Sequence, residues 1–329
     1  MTKVLVLGSN SFSGASFVAS LLRLGIDVFG ASRSPEPHSV FLPYQWNGPT
    51  DRFRFHRIDM NHDLSALEAL IRAERIGTIV NFAAQSMVGE SWTHPDHWMR
   101  TNVVAVSLLA ERLRHIDFLD RYVHVTTPEV YGSTDGWITE DTRFNPTTPY
   151  AVSRAAGDMT MKIYHDAFKL PVVFTRAANV YGPGQQLYRI VPRTILFALS
   201  GKKLQLQGGG LSTRSFIHID DVSAATWALV GQAAIGESYH ISTSRIISIR
   251  ELVELICRAL GIAFEDTVTM APDRVGKDSA YWLNSDKLRG QLQWRDAIDL
   301  ETGLSQCIGW VKDNMATLLQ QPQNYVHRP

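Results

Sequence analysis

Cysteine is scarce in this chain: Cys257 and Cys307 are the only two among 329 residues. Both fall in helix-like stretches, and no Cys/His spacing resembles a zinc site, so neither a disulfide framework nor a metal centre is expected. Two buried thiols in a reducing compartment are the expectation instead. There is no excess of charge either, because 32 basic residues balance 32 acidic ones. A neutral chain with 45% apolar and 19% charged residues has the composition of a globular domain and lacks the basic surplus of a nucleic-acid binder. No apolar run approaches the ~18 residues of a membrane span. Met1-Thr2-Lys3 leads directly into Val4–Leu7 and then a glycine turn, too short an apolar run for a signal peptide, so a cytoplasmic location without a membrane partner is expected. Internal repeats and low-complexity segments are also lacking.

What is present begins at the first residues. Lys3 to Leu7 reads as a strand, Gly8-Ser9-Asn10-Ser11-Phe12-Ser13-Gly14 as a turn, and Ala15 to Leu24 as a helix. Strand, glycine turn and helix form the phosphate-binding opening of a dinucleotide fold, placing Gly8, Ser11, Phe12, Ser13 and Gly14 at the cofactor. A second strand, Ile26 to Ala31, ends in Ser32-Arg33 where an NAD-preferring fold carries an acid. An arginine there accommodates a 2′-phosphate, so NADP is expected, with NAD as the alternative. A third strand over Phe53 to Ile58 delivers Asp59 and Met60 toward the adenine edge. After the strand beginning at Thr78, the small residues Ala83 and Ala84 allow close approach to a flat cofactor. Pro95 to Arg114 reads as one helix, in which Asn102 is either a buried tether or a surface amide.

The apolar run Val123-His124-Val125 ends in Thr126-Thr127-Pro128-Glu129, a buried strand carrying hydroxyls and a carboxylate to the edge where open α/β sheets hold ligands. Pro149 opens a helix to Phe168 in which Tyr150 and Arg154, four apart, share a face. A phenol beside a fixed cation is a tuned acid/base pair. Alternation of strand and helix through the first half predicts an α/β Rossmann fold, a doubly wound parallel sheet, with a smaller C-terminal substrate-binding lobe. The boundary is placed at 178/179, with part of 215–245 returning to the first domain. The tail from Gln320 to Pro329 is expected to fray.

Nine features together resemble a known family: the N-terminal glycine turn, Asp59, Ala83-Ala84-Gln85-Ser86, Thr127-x-Glu129-Val130-Tyr131-Gly132, Pro149-Tyr150, Asn179-x-Tyr181-Gly182-Pro183, Arg214-x-Phe216-Ile217-His218, its continuation Ile219-Asp220-Asp221, and Asp273-Arg274-x-Gly276-x-Asp278. The family is the extended short-chain dehydrogenase/reductases, specifically the nucleotide-sugar 4,6-dehydratases with their epimerase and decarboxylase relatives. Ala-Ala-Gln-Ser and Ser32-Arg33 are most similar to the GDP-mannose branch. The Arg214 and Arg274 segments resemble the dTDP-glucose branch as much.

The resemblance implies a nucleoside-diphosphate sugar as substrate. Gln85, Ser86, Asn179, Arg193, Gln205, Arg214 and Arg274 would bind it, the arginines forking onto phosphate oxygens. It also implies catalytic roles: Tyr150 as the base for the C4 hydroxyl, Thr127 as its hydrogen-bonding partner, Glu129 as the C5 base, and Arg154 as the neighbouring cation. A homodimer through the helices at Pro95–Arg114 and Tyr150–Phe168 is implied as well. Two positions depart from the family pattern: Pro128 stands where an acid or hydroxyl precedes the glutamate, and Arg154 stands where a lysine follows the tyrosine. These keep open a 5,6-dehydratase that leaves an alkene, an epimerase or decarboxylase, and a catalytically silent nucleotide-sugar and dinucleotide binder.

Overall fold

The computed structural model describes residues 3–46, 48, 50–272 and 280–328. Seven parallel strands form the central sheet: β1 (Lys3–Leu7), β2 (Asp27–Ser32), β3 (Phe53–Arg57), β4 (Thr78–Asn81), β5 (Arg121–Thr126), β6 (Val172–Ala177) and β7 (Ser238–Ile241). Their order across the sheet is β7-β6-β5-β4-β1-β2-β3, so the winding reverses between β1 and β4. This is the expected Rossmann arrangement, and ligands in such sheets sit beyond the carboxyl ends at the reversal.

Burial on both faces explains the unbroken apolar strands. Leu5, Leu7, Ile79 and Tyr122 pack on one side with helices α2 (Leu64–Glu74) and α3 (Ala105–Leu113). Val4, Val6, Val80 and Val123, the alternate residues, pack on the other with α1 (Phe12–Arg23). Among the described residues, no helix is long and apolar enough to cross a membrane.

Beyond β6 the chain builds a second core around α5 (Ile190–Leu199), α7 (Ile249–Leu260) and α8 (Leu300–Asp313), containing Val191, Ile195, Leu252, Ile256, Leu304 and Val311. A three-stranded sheet of Asn179–Tyr181, Thr213–His218 and Ile246–Ser248 lies beside it. Between the two pieces, α6 (Ile219–Gln232) returns to pack against α1, and β7 joins the main sheet next to β6.

Two sequence expectations change. The helix read over Pro95 to Arg114 is interrupted by a π-helical turn, Arg100–Val104, that carries Asn102. Asn102 is buried: its Oδ1 accepts from the Gln85 amide at 2.9 Å, while its Nδ2 donates to the Gln85 carbonyl at 3.0 Å and to Ser153 Oγ at 2.9 Å. It is therefore a tether joining the segment after β4 to helix α4 (Pro149–Phe168). The C-terminal tail is the second correction, since residues 323–328 are tied down rather than frayed. Arg193 Nη1 and Lys202 Nζ donate to Gln323, Tyr325 packs edge-on against Tyr188, and His327 stacks on Trp98 at 5.1 Å. Aromatic partners distant in sequence supply the anchoring that terminal position alone does not suggest.

Removing the Asn102 carboxamide strands a buried amide and a buried carbonyl of Gln85, each costing on the order of 1–3 kcal/mol. Asn102→Ala is expected to lower the stability measured by urea unfolding by a few kcal/mol, whereas loss of a surface amide would change it by about 0.5 kcal/mol or less.

Candidate active site

The glycine turn after β1 brings backbone close to the cleft. Gly8 has φ +78°, and a Cβ there would lie 2.7 Å from the Ala83 amide nitrogen. A Cβ on Gly14 would lie 2.2 Å from the Gly8 carbonyl oxygen. Ser11, where the common motif has another glycine, caps α1 by accepting from the Gly14 amide at 3.1 Å. Helix geometry turns the preceding amides of Phe12 and Ser13 outward from the helix start. Both residues line a cavity of about 1100 Å³ at the sheet's carboxyl edge. A helix N-terminus facing a cavity suits the diphosphate of a dinucleotide. The chain thus fits a nicotinamide dinucleotide there, with Phe82, Ala84 and Ser86 lining the same cavity.

Other cofactor candidates have distinct placements. Ser32 Oγ accepts from the Asn10 amide at 3.1 Å, and Arg33 Nη2 donates to the Arg328 carbonyl at 2.9 Å. Asp59 Oδ1 accepts from the Asn61 amide at 2.9 Å, and Met60 is buried in the core beside Leu64. Neither Asp59 nor Met60 lines the large cavity.

Four side chains converge where β5 ends and α4 begins. Thr127 caps a 3₁₀ turn, Pro128–Tyr131, with its hydroxyl accepting from the Glu129 amide at 3.3 Å. Proline suits the first position of such a turn because its missing N–H has no helical partner to lose. Thr148 caps α4 by accepting from the Ala151 amide at 3.1 Å, which sets Tyr150 in the first turn. The Thr127 hydroxyl lies on the same stretch of cavity wall as the Tyr150 phenol and favours its ionised form. Arg154, one turn on, is buried and donates to the Val125 carbonyl of β5. Thr127, Glu129, Tyr150 and Arg154 all line the cavity.

Burial pushes the Tyr150 phenol up, and the Glu129 charge pushes it further, while Arg154 and Thr127 pull it down. The net direction is upward. Arg154 acts with the expected sign, but on the bare protein it does not make the phenol acidic, because desolvation and a neighbouring anion outweigh it.

Beneath this quartet lies a buried charged layer. Asp158, one further turn along α4, meets Arg176 Nη2 at 2.7 Å and His124 Nε2 at 3.4 Å. Burial pushes the Asp158 carboxyl up, but Arg176, His124 and Arg154 together more than reverse it and the group stays ionised. Burial holds His124 below the usual imidazole range, hence neutral.

The opposite wall comes from the second core. Asn179, Arg193, Gln205 and Arg214 line it. Tyr281 donates to Asn179 Oδ1 at 3.1 Å, and the Arg214 guanidinium sits 4.5 Å from the Tyr281 ring centre. Gln85 does not reach the cavity: it is buried, and its Nε2 donates to the Arg328 carbonyl at 2.7 Å. Arg274 lies outside the described residues. Sequence reading missed Tyr188, Arg189 and Tyr281, which line the same wall. Arg189 also favours the phenolate of Tyr150. Its signal was available, since Tyr188-Arg189 closely follows the Asn179-x-Tyr181-Gly182-Pro183 motif.

The family model for GDP-mannose 4,6 dehydratase matches residues 5–307. A trifunctional UDP-glucose 4,6-dehydratase/3,5-epimerase/reductase of Arabidopsis thaliana is 32% identical over 266 residues, 80% of this chain and 40% of the relative. The chain thus spans well under half the length of that plant protein. A dTDP-glucose 4,6-dehydratase of Actinoplanes sp. is 31% identical over 326 residues, covering 95% of this chain and 98% of the relative. Among solved structures, the dTDP-glucose 4,6-dehydratase DesIV of Streptomyces venezuelae, crystallised with NAD bound, has a TM-score of 0.89 at 30% identity. That superposition covers 96% of this chain and 98% of DesIV. Matched over nearly its whole length by the family model, and carrying the glycine turn and the Thr127–Tyr150 pair on one cleft, the chain belongs to the GDP-mannose 4,6 dehydratase family of extended short-chain dehydrogenase/reductases.

Proposed function

We propose that this chain is a nucleotide-sugar 4,6-dehydratase that uses a nicotinamide dinucleotide, with NADP preferred, and forms a 4-keto-6-deoxy sugar. The carrying observation is the convergence of Thr127, Glu129, Tyr150 and Arg154 on a cavity with the α1 N-terminus on one side and Arg193 and Arg214 on the other. When bound, the dinucleotide supplies a store for the hydride removed at sugar C4 and returned at C6. Ser32 and Arg33 at the end of β2, where an NAD-preferring fold carries an acid, support NADP. Arg193 and Arg214 bind the substrate diphosphate, Asn179 and Ser86 the sugar, and Gln205 the base edge.

Tyr150, as the phenolate that Thr127 helps to favour, accepts the C4 hydroxyl proton and becomes the neutral phenol. The 4-ketone acidifies C5, and Glu129 takes that proton. Pro128 has no proton to give, so Glu129, now carrying the C5 proton, is the group that hands it to the C6 hydroxyl as water leaves. Arg154 holds a permanent charge against the β5 carbonyl and favours the phenolate without ever deprotonating.

We also propose a homodimer through α3, α4 and the π turn before α3. Leu108, Met159, Ile163 and Phe168 are exposed there, with Met159 and Ile163 each 62% accessible, on two helices that pack side by side. Apolar side chains aligned on such a face mark an association surface.

Incubation with GDP-, UDP-, dTDP- and CDP-linked hexoses, followed by mass spectrometry, is expected to show loss of one water from a sugar without net accumulation of reduced nicotinamide. Unchanged mass with every sugar would defeat the assignment, and a 5,6-alkene would identify the alternative elimination. Tyr150→Phe is expected to lower turnover about 10²–10⁴-fold, the usual worth of a general base. Glu129→Gln is expected to block water loss while leaving C4 oxidation intact, observed as reduced nicotinamide in a single turnover.

A neutral phenol cannot take the proton, so C4 oxidation should rise with pH through the Tyr150 ionisation. Arg154→Ala removes the charge that favours phenolate and should move that rise to higher pH. Glu129→Gln removes the opposing anion and should move it lower. Stopped-flow absorbance across pH reads both. The double substitution Met159→Glu/Ile163→Glu is expected to convert a dimer into a monomer by light scattering.

A further inference from the structure

Residues 321–328 alternate between half-buried and exposed, as an extended strap with one side against the protein does. The strap braces two members of the substrate-side wall. Arg193 Nη1 donates to the Gln323 carbonyl and Nη2 to Asn324 Oδ1, each at 3.3 Å, and Tyr325 packs edge-on against Tyr188 with ring centres 5.4 Å apart. Arg193 and Tyr188 both line the large cavity. The two strap partners of Arg193 are neutral oxygens, so the guanidinium is held in place without being neutralised, and burial pulls it below the usual guanidinium range. A buried cation held this way gains most when an anion joins it.

What fastens the strap is a group of imidazoles. His327 Nε2 and His97 Nδ1 share a hydrogen bond of 2.7 Å, the His327 ring stacks on the fully buried Trp98 at 5.1 Å, and its Nδ1 meets the Tyr325 hydroxyl at 3.3 Å. His94 completes a triangle in which all three imidazole centres are 5.1 Å apart. His94 and His97 belong to the short helix Pro95–Met99 and its cap. A hydrogen bond between two imidazoles requires one bare ring nitrogen. With both rings protonated, two N–H donors would face each other across that gap and like charges would repel.

The surrounding charges act in both directions. Asp96 Oδ2 lies 3.6 Å from His97 Nε2, and Glu90 favours a proton on His327, whereas Arg33 opposes it. Burial pushes His327 below the usual imidazole range, and His97 and His94 push it further. Unfastened, the imidazole would titrate near its ordinary value of about 6.5. The fastened strap therefore binds fewer protons than the free one, so fastening is complete above about pH 6.5 and weakens as the pH falls below it.

We propose that His327 is a positioning residue for substrate binding: its pairing with His97 fastens the strap that braces Arg193 and Tyr188 in the diphosphate wall, and acid unfastens it. The inference rests on the reading that Arg193 binds the substrate diphosphate. A braced guanidinium has less side-chain freedom to lose on binding, and neutral braces leave its charge to the ligand. His327 does not line the cavity, so its effect passes through the wall to affinity and leaves the chemical step alone.

The test is calorimetric titration with UDP-glucose, dTDP-glucose and GDP-mannose, whose diphosphate stays ionised throughout, at about pH 7.5 and 5.5, one unit either side of the ordinary imidazole value. The parent is the Tyr150→Phe protein, in which turnover is too slow to disturb the titration and Tyr150 itself no longer titrates. His327 lies outside both cores, so its variants are expected to fold. At the higher pH, His327→Ala is expected to bind the best of these sugars about three- to tenfold more weakly than the parent. The parent should lose a similar factor on acidification, whereas His327→Gln, which hydrogen-bonds without charging, should lose about twofold or less. Chymotryptic cleavage after Tyr325 reads the strap directly: at the lower pH it should be faster in the parent than in His327→Gln. An equal fall in affinity for the parent and His327→Gln, tighter binding by His327→Ala, or equal cleavage of both at the lower pH would overturn the inference. The underlying reading fails separately: Arg193→Ala, expected to weaken binding about tenfold or more, would then match the parent with all three sugars.

Discussion

Thr127 beyond the end of β5 and Tyr150 in the first turn of α4 line one cavity, and the arrangement of the cleft depends on these two elements staying in register. Several interactions hold the two elements in register. Arg154 is fixed to the Val125 carbonyl, Asp158 is paired with Arg176 of β6, and Asn102 bonds Ser153 from the other side of the helix. Each lies one turn or less from the next along α4. A helix pinned at successive turns cannot rotate, so the phenol keeps its place beside the hydroxyl. Breaking the Asp158–Arg176 pair by removing one partner would leave an uncompensated buried charge, typically a loss of about 3–5 kcal/mol.

The electrostatic arrangement places one phenol between opposing influences. Glu129 and burial favour the neutral form, whereas Arg154, Arg189 and the Thr127 hydroxyl favour the phenolate. In the free protein the first pair prevails. Such a balance suits a group that must accept a proton only when substrate and cofactor complete the site. Arginine in place of lysine preserves the charge but removes any capacity to titrate, confining position 154 to orientation and field. Proline at 128 fits the turn that presents Glu129 while removing a candidate proton donor. In the proposed mechanism the one carboxylate on that turn serves both the C5 proton and the departing hydroxyl.

The strap over residues 323–328 relates the two halves of the cleft. It bonds Arg193 and Lys202 on the substrate side and Arg33, Ser34 and Gln85 on the dinucleotide side. A single extended segment thus touches both walls.

The sequence by itself determined the sheet, the glycine turn and the quartet of side chains that gathers on one cavity. Those depend on patterns within about twenty residues: strands buried on both faces, a strand–turn–helix opening, and a tyrosine and arginine four apart on one helix. The family motifs likewise located Thr127, Glu129, Asn179 and Arg214. Tertiary structure decided what such patterns cannot carry. The π turn and its inward Asn102, the removal of Gln85 from the cavity wall, the net upward push on Tyr150 and the binding of the tail to β2 all arise between residues far apart in the chain. Burial and long-range hydrogen bonding depend on which surfaces meet, and local periodicity holds no record of that meeting.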